Sequence, residues 1–313
     1  MSVARTGMER LPTYGGQAVM EGVMMRGSRT CAIAMRAPDQ KIVIHQEPLG
    51  SLYSSKMMKI PFLRGLVMLW DALGLGMRAL TLSANVQTGE EEKLEGPALY
   101  VTLGLSLAFG IGLFFLAPAA VGQLTEVLLN KTNLPWSAWW GNLMEGIFRL
   151  FLLVGYIWAI GRIPDIARVF AYHGAEHKTI NAYEGHAELT PENVARFPLE
   201  HPRCGTSFLL TLAILSVLLF SLLGPLPLLG RLLSRILLIP VLAMLAYEYI
   251  RWTARNLSQP FVRWLIRPNL ALQRLTTRQP SLDMLEVSIA AFQAMLAKEN
   301  AEPNPDAGQP QVP

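Results

Sequence analysis

Residues 97–122 read PALYVTLGLSLAFGIGLFFLAPAAVG, a run of 26 positions without one charged side chain. A helix rises about 1.5 Å per residue and the hydrocarbon core of a bilayer is about 30 Å thick, so this stretch is long enough to cross it. The composition of the whole chain agrees. Of 313 residues, 51% are hydrophobic and only 16% charged, and the mean hydropathy is +0.31. Soluble domains carry about 25% charged residues, so the fold class expected here is mainly α, an integral membrane helical protein.

Working outward, Gly141 to Ile163 forms a second candidate span, preceded by Trp136, Trp139 and Trp140 as an interfacial aromatic belt. It carries Glu145 and Arg149 four residues apart, a spacing that pairs them on one helix face near the outer end. Ser207 to Leu223 and Leu232 to Ile250 give a third and a fourth span, joined through Gly224-Pro225-Leu226-Pro227 as a tight helical hairpin. Residues 57–86 are apolar but carry Arg64, Asp71 and Arg78 at seven-residue intervals. That stripe suits an interfacial or re-entrant helix, and a full span stays open.

Cations fix the orientation. Lys and Arg number eleven up to Lys93, one in the 119–141 loop, four in 164–206 and seven from Arg251 onward. Cations accumulate on the cytoplasmic side, so four spans with both termini cytoplasmic satisfy every segment. The net charge of +4 and pI of about 9.1 follow from this topology, and no nucleic-acid partner is expected. The expected partners are membrane lipids and a cytoplasmic substrate or protein. Cys31 and Cys204 are read as free thiols in a reducing compartment. No charged-then-apolar signal pattern opens the chain, so insertion is assigned to internal segments.

Seven segments result. Residues 1–56 hold a Gly/Met-rich loop and a β-hairpin over Cys31–Arg36 and Lys41–Gln46, a small α+β cytoplasmic module in which His45 is structural. Residues 57–96 hold the amphipathic helix and an acidic linker, 97–163 the first two spans, and 164–206 a cytoplasmic histidine-rich segment. Residues 207–250 are the helical hairpin. Residues 251–299 are an Arg-rich segment whose last helix, capped by Ser281, presents Leu282, Leu285, Ile289, Phe292 and Leu296 for docking. Residues 300–313 are a disordered tail.

The histidine-rich segment carries the chemistry. Tyr172-His173-Gly174-Ala175-Glu176-His177-Lys178 contains H-x-x-E-H. On a helix, His173 and His177 lie one turn apart on one face, the geometry in which one Zn²⁺ or another divalent cation accepts two imidazoles. Glu176 beside them is the candidate general base, the residue order used by inverzincin peptidases. Gly185 can end this helix, and Thr190-Pro191 can cap the next. A catalytic zinc needs a third protein ligand. His201 and Glu248 rank first, with Cys204, Glu21, Glu184 and His186 also open. Two helical turns separate Glu184 from His177, which makes joint coordination from one straight helix awkward. Arg251 is the obvious ion-pair partner of Glu248. Glu21 sits in Gly15-Gly16-Gln17-Ala18-Val19-Met20-Glu21-Gly22-Val23-Met24-Met25-Arg26-Gly27, a run whose glycines permit a loop to close over another part of the protein.

That Gly/Met run, the H-x-x-E-H stretch through Glu184, His201-Pro202-Arg203-Cys204-Gly205-Thr206-Ser207 and Met284-Leu285-Glu286-Val287 together resemble the domain-of-unknown-function 1385 family. Its members are bacterial membrane proteins described as predicted metal-dependent enzymes. The resemblance implies a multi-pass protein of the bacterial inner membrane and names no substrate.

Two functions are expected from these residues. One is a zinc-type hydrolase with its site at the cytoplasmic face, His173 and His177 as ligands and Glu176 as base. The alternative is a non-catalytic anchoring or assembly protein whose basic cytoplasmic surface recruits a partner or anionic lipid.

Overall fold

The computed structural model describes residues 14–50, 56–88, 96–131, 136–224 and 226–301. The polar start of the chain, the acidic linker at 89–95 and nearly all of the tail lie outside the described residues. The chain is mainly helical, with one small antiparallel sheet near its N-terminus.

Strands β1 (Gly15–Val19), β2 (Gly22–Arg26), β3 (Thr30–Arg36) and β4 (Ile42–Pro48) form the sheet in sequence order. The hairpin expected from residues 31–46 is β3–β4, with Ile33 opposite His45. The Gly/Met run, expected as a loop, is a hairpin of its own: Gly15 pairs with Arg26 and Val19 with Gly22. Strand alternation explains its methionines. Val23 and Met25 enter one apolar cluster, while Val19 and Met24 enter another on the opposite face. Strands β2 and β3, buried on both faces, have little use for polar side chains, whereas β4 is largely exposed.

Helix α1 (Leu63–Thr88) covers one face, with Leu75 and Ala79 against Met24, Ile33 and Met35. The other face receives α5 (Pro164–Glu184) and α12 (Leu282–Ala301). Helix α12 is the docking helix of the sequence, and it docks on its own sheet. Leu285, Ile289 and Phe292 are buried as expected, but Leu282 is exposed, and Met284, Ser288 and Met295 complete the inner face. Glu299 near its end accepts from the backbone N–H and hydroxyl of Ser28 (2.5 and 2.6 Å) and from Arg29 N–H (3.0 Å).

The remaining helices are α2 (Pro97–Ile111), α3 (Ala117–Lys131), α4 (Ser137–Ile160), α6 (Pro191–Val194), α7 (Thr206–Ser221), α8 (Leu228–Leu237), α9 (Ile239–Arg255), α10 (Pro260–Leu265) and α11 (Arg267–Thr276). Among the described residues, three helical runs are long and apolar enough to cross a membrane: Leu63–Thr88, Tyr100–Lys131 and Ser137–Ile160. The α8–α9 pair, bent by 43°, makes a fourth if counted as one span, and α7 is a shorter apolar helix.

A turn of π-helix, Gly112–Leu116, joins α2 to α3. The Phe114 carbonyl within it accepts from Arg149 Nε at 3.1 Å. Arg149 also pairs with Glu145 at 2.7 Å, as their spacing predicts, and donates to Ser216 Oγ at 2.7 Å. Glu145 is shared: Arg235 of α8 grips it through Nε (2.8 Å) and Nη2 (2.6 Å). Arg231 of α8 pairs with Glu126. Helix α8 is therefore inside out for a water-soluble surface, with both arginines 1% exposed and Leu229 and Leu237 around 70% exposed (69% and 73%).

Candidate metal centre

Helix α5 starts with proline at its first turn and ends at Gly185, so the motif sits within an uninterrupted helix. The His173 and His177 rings lie 4.4 Å apart, centroid to centroid. Their outer nitrogens are both fixed by backbone. His173 Nδ1 lies 2.9 Å from the Thr276 carbonyl, and His177 Nδ1 is bonded to the Leu199 carbonyl. A carbonyl only accepts, so each Nδ1 carries a proton, the tautomer in which a neutral ring offers its Nε2 lone pair. Carbonyl-anchored imidazoles of this kind are the usual outer support of metal-ligating histidines.

Cys204 completes the group. Its Sγ is 3.2 Å from His173 Nε2, and one ligand atom from each of His173, His177 and Cys204 falls within 4.8 Å of the others. Tetrahedral ligands 2.0–2.3 Å from one ion lie about 3.3–3.8 Å apart, so the widest pair would close by about 1 Å around an ion. The thiol sits just ahead of α7, near the Thr206 N–H (3.4 Å) and hydroxyl (3.2 Å).

The loop before Cys204 is brought back by polar groups of α5. Lys178 Nζ donates to the carbonyls of Ala195 (2.8 Å) and Phe197 (2.5 Å). Asn181 Nδ2 donates to those of Pro198 (3.0 Å) and Glu200 (3.2 Å). Gly174 makes room, since a Cβ there would lie 2.8 Å from the Leu199 side chain. From the other side, Gln273 of α11 clamps the His201 backbone through N–H and C=O, both at 2.9 Å.

Glu176 is buried against the sheet. Burial pushes its carboxyl up to about 7, while the neighbouring His173 and a hydrogen bond from the Gly16 backbone draw it down. Its Oε2, and the Nε2 of His177, are buried without a hydrogen-bond partner. These orphaned acceptors, with a thiol alongside, fit a divalent cation: nitrogen, nitrogen and sulfur are the donors zinc takes, with a fourth position open.

The other candidate ligands lie elsewhere. Glu21, in the β1–β2 turn, accepts from Arg168 Nε and Nη2, both at 2.6 Å, and from the Tyr172 hydroxyl at 3.3 Å. Glu248 is held by Arg64 (Nε to Oε1, 2.6 Å) and by the Phe62 N–H (3.1 Å); its partner is Arg64 rather than Arg251. Glu184 pairs with Arg203, and its second oxygen is 3.7 Å from His201 Nε2. The His201 ring is near, 5.8 Å from that of His177, but outside the converging group, and burial pulls its pKa down. His186 is exposed at the turn after α5. Thr276 and Leu199 were not legible as contributors, because they act through backbone carbonyls that carry no side-chain signature. Gly16 was signalled only as one of four glycines in a conspicuous run.

A family model described as "Protein of unknown function (DUF1385)" matches residues 60–298. The chain belongs to this family. A curated relative, "Uncharacterized protein YqhQ" of Bacillus subtilis (strain 168), is 35% identical over 305 residues, covering 92% of this chain and 93% of its own. No solved structure matches. The family match contains all three converging ligands and Glu176 but begins after the sheet that covers them.

Proposed function

We propose that this DUF1385 protein is a metal-dependent hydrolase embedded in the cytoplasmic membrane, with both termini and the metal centre on the cytoplasmic side. One observation carries the catalytic part: two backbone-oriented imidazoles and a thiol converge beside a buried carboxyl whose free oxygen has no partner. A bound zinc ion supplies Lewis acidity and lowers the pKa of water at its open position. His173, His177 and Cys204 hold the ion, and the Thr276 and Leu199 carbonyls fix both rings. Glu176 takes the proton of the attacking water at Oε2 and returns it to the leaving group. The sheet excludes bulk water from one side, and the partly exposed His173 marks the side from which substrate approaches. Amide, peptide or ester bonds are the substrate class this machinery suits.

The membrane placement is supported by the inverted polarity of the helical region. Large apolar side chains point outward from α2, α4, α7 and α8, while Glu126, Glu145, Arg149, Arg231 and Arg235 point inward. Water selects the opposite arrangement and hydrocarbon selects this one.

Metal content and turnover separate the possibilities. Protein purified without chelator is expected to hold one metal ion, which His177→Ala loses and Glu176→Gln keeps. Glu176→Gln is expected to abolish hydrolysis across a panel of amide and ester substrates. Metal-free wild type overturns the reading. A second reading, a structural metal in an anchoring protein, is favoured by the near-complete burial of His177 and Glu176 (0% and 4% exposed). It predicts that Glu176→Gln changes stability while no hydrolysis is found in either protein.

A further inference from the structure

We infer that the groove between α7, α9 and α11 is a binding site for an anionic phospholipid, with its acyl chain against the apolar walls and its phosphate at Arg267. The groove encloses about 580 Å³, within the roughly 300–1,000 Å³ typical of small-molecule sites. Ile214, Leu215 and Leu218 line it from one face of α7, facing Tyr249 of α9 and Trp264 of α10. Those α7 positions follow helical spacing, so the wall is a continuous apolar stripe.

Charge identifies the occupant. Arg267 is the one ionisable cation in the lining and stands at the start of α11, exposed. Among the described residues, no carboxylate pairs with Arg255, Arg263 or Arg267. Phe261 and Trp264 beside them are about 60% exposed (61% and 60%) and stacked at 6.3 Å. Exposed aromatics among unpaired arginines are the signature of a headgroup-level segment. An apolar trough ending at such an arginine matches an amphiphile with a negative head. A wholly apolar peptide helix would leave Arg267 without a counter-charge.

The groove adjoins the metal centre through the same two helices. Helix α7 begins two residues after Cys204, and α11 ends at Thr276, whose carbonyl holds His173. In the groove wall, Asn269 Nδ2 donates to Thr211 Oγ1 at 3.2 Å and ties the two helices together. A lipid in the groove thus lies against both supports of the proposed centre. The inference rests on the membrane placement proposed above and not on the metal.

Full-length protein in neutral detergent would be titrated with phosphatidylglycerol, phosphatidylcholine of the same chains, and glycerol phosphate, and bound lipid read by native mass spectrometry. One phosphatidylglycerol is expected to be retained in preference to phosphatidylcholine, with no retention of glycerol phosphate. Arg267→Gln is expected to weaken retention about five-fold, from about 1 kcal/mol per arginine at an anionic surface. Leu215→Trp, which fills the trough and leaves the charge, is expected to abolish it. Because Arg267 is exposed, its variant tests the site even where Leu215→Trp fails to fold. Equal retention of both lipids, or unchanged retention in Arg267→Gln, overturns the inference. His177→Ala should retain lipid whether or not the centre holds metal. Release of the chain from membranes by alkaline carbonate would overturn the membrane placement itself.

Discussion

The Nε2 of His173 lies 3.2 Å from the Sγ of Cys204, a residue 31 positions further along the chain. This contact makes Cys204, and not His201 or Glu248, the third ligand the geometry offers. Cobalt loaded into the proposed centre should therefore show thiolate-to-metal charge-transfer absorption in the near ultraviolet. Cys204→Ser should lose that band and most of the bound metal, while His201→Asn should keep both. A Cys204→Ser protein with an unchanged spectrum would remove the thiol from the centre.

Gly16 is the point at which the sheet meets the carboxyl. A Cβ there would lie 2.5 Å from the Met24 carbonyl oxygen and 3.0 Å from Glu176 Cδ. Gly16→Ala must shift either the β1–β2 register or the Glu176 side chain, and overpacking of this kind costs about 1–3 kcal/mol. The expected result is normal metal content with a fall in turnover larger than the fall in stability. Metal analysis beside a thermal melt checks it, and unchanged turnover would show that the contact does not position Glu176.

How far the sequence reached depends on the distance between partners. The pair one helical turn apart, Glu145 and Arg149, forms as its spacing implies, as does the Thr190 cap of α6, where Thr190 Oγ1 accepts from Asn193 N–H at 3.4 Å. His173 and His177 face one another for the same local reason. Glu248 shows the opposite case: Arg251 is near in sequence, yet α1 brings Arg64 from 184 positions away. That pairing also explains one member of the charged stripe on α1. Cys204 was legible only as one candidate among several, since its return to α5 depends on Lys178, Asn181 and Gln273 gripping backbone carbonyls and amides that any sequence would offer. The Gly/Met run reads as a loop because its four glycines signal turns, and the alternation that makes it a hairpin shows only where both faces are known to be buried.

The Glu21–Arg168 pair gives a pH dependence of known sign. Hydrogen bonding to Arg168 holds the Glu21 carboxyl below its ordinary value. The folded pKa is the lower one, so the stabilisation is complete above the unfolded value, about 4.3, and is lost as pH falls through the folded value. Hydrogen exchange at the β1–β2 turn, corrected for intrinsic rates, should stay slow at neutral pH and accelerate only below about pH 4. Arg168→Ala should exchange rapidly already at neutral pH. A turn equally protected in acid would show that this pair does not hold the sheet to α5.

The buried pair Glu126–Arg231 offers the sharpest test of the helical interior. Arg231 is packed where α3 and α4 cross at Gly122 and Gly141; a Cβ on Gly122 would lie 2.8 Å from the Gly141 carbonyl oxygen and 3.0 Å from Arg231 Nη1. Removing one partner leaves the other charge buried and uncompensated, which costs about 3–5 kcal/mol. Replacing both by apolar groups removes two desolvation penalties together and is often nearly neutral. Glu126→Leu and Arg231→Leu should therefore each lower the unfolding temperature in detergent strongly, and the double variant should recover most of the loss. Additive losses would mean that Arg231 acts mainly through its packing against the two glycines, and Gly122→Ala should then match Arg231→Leu in effect.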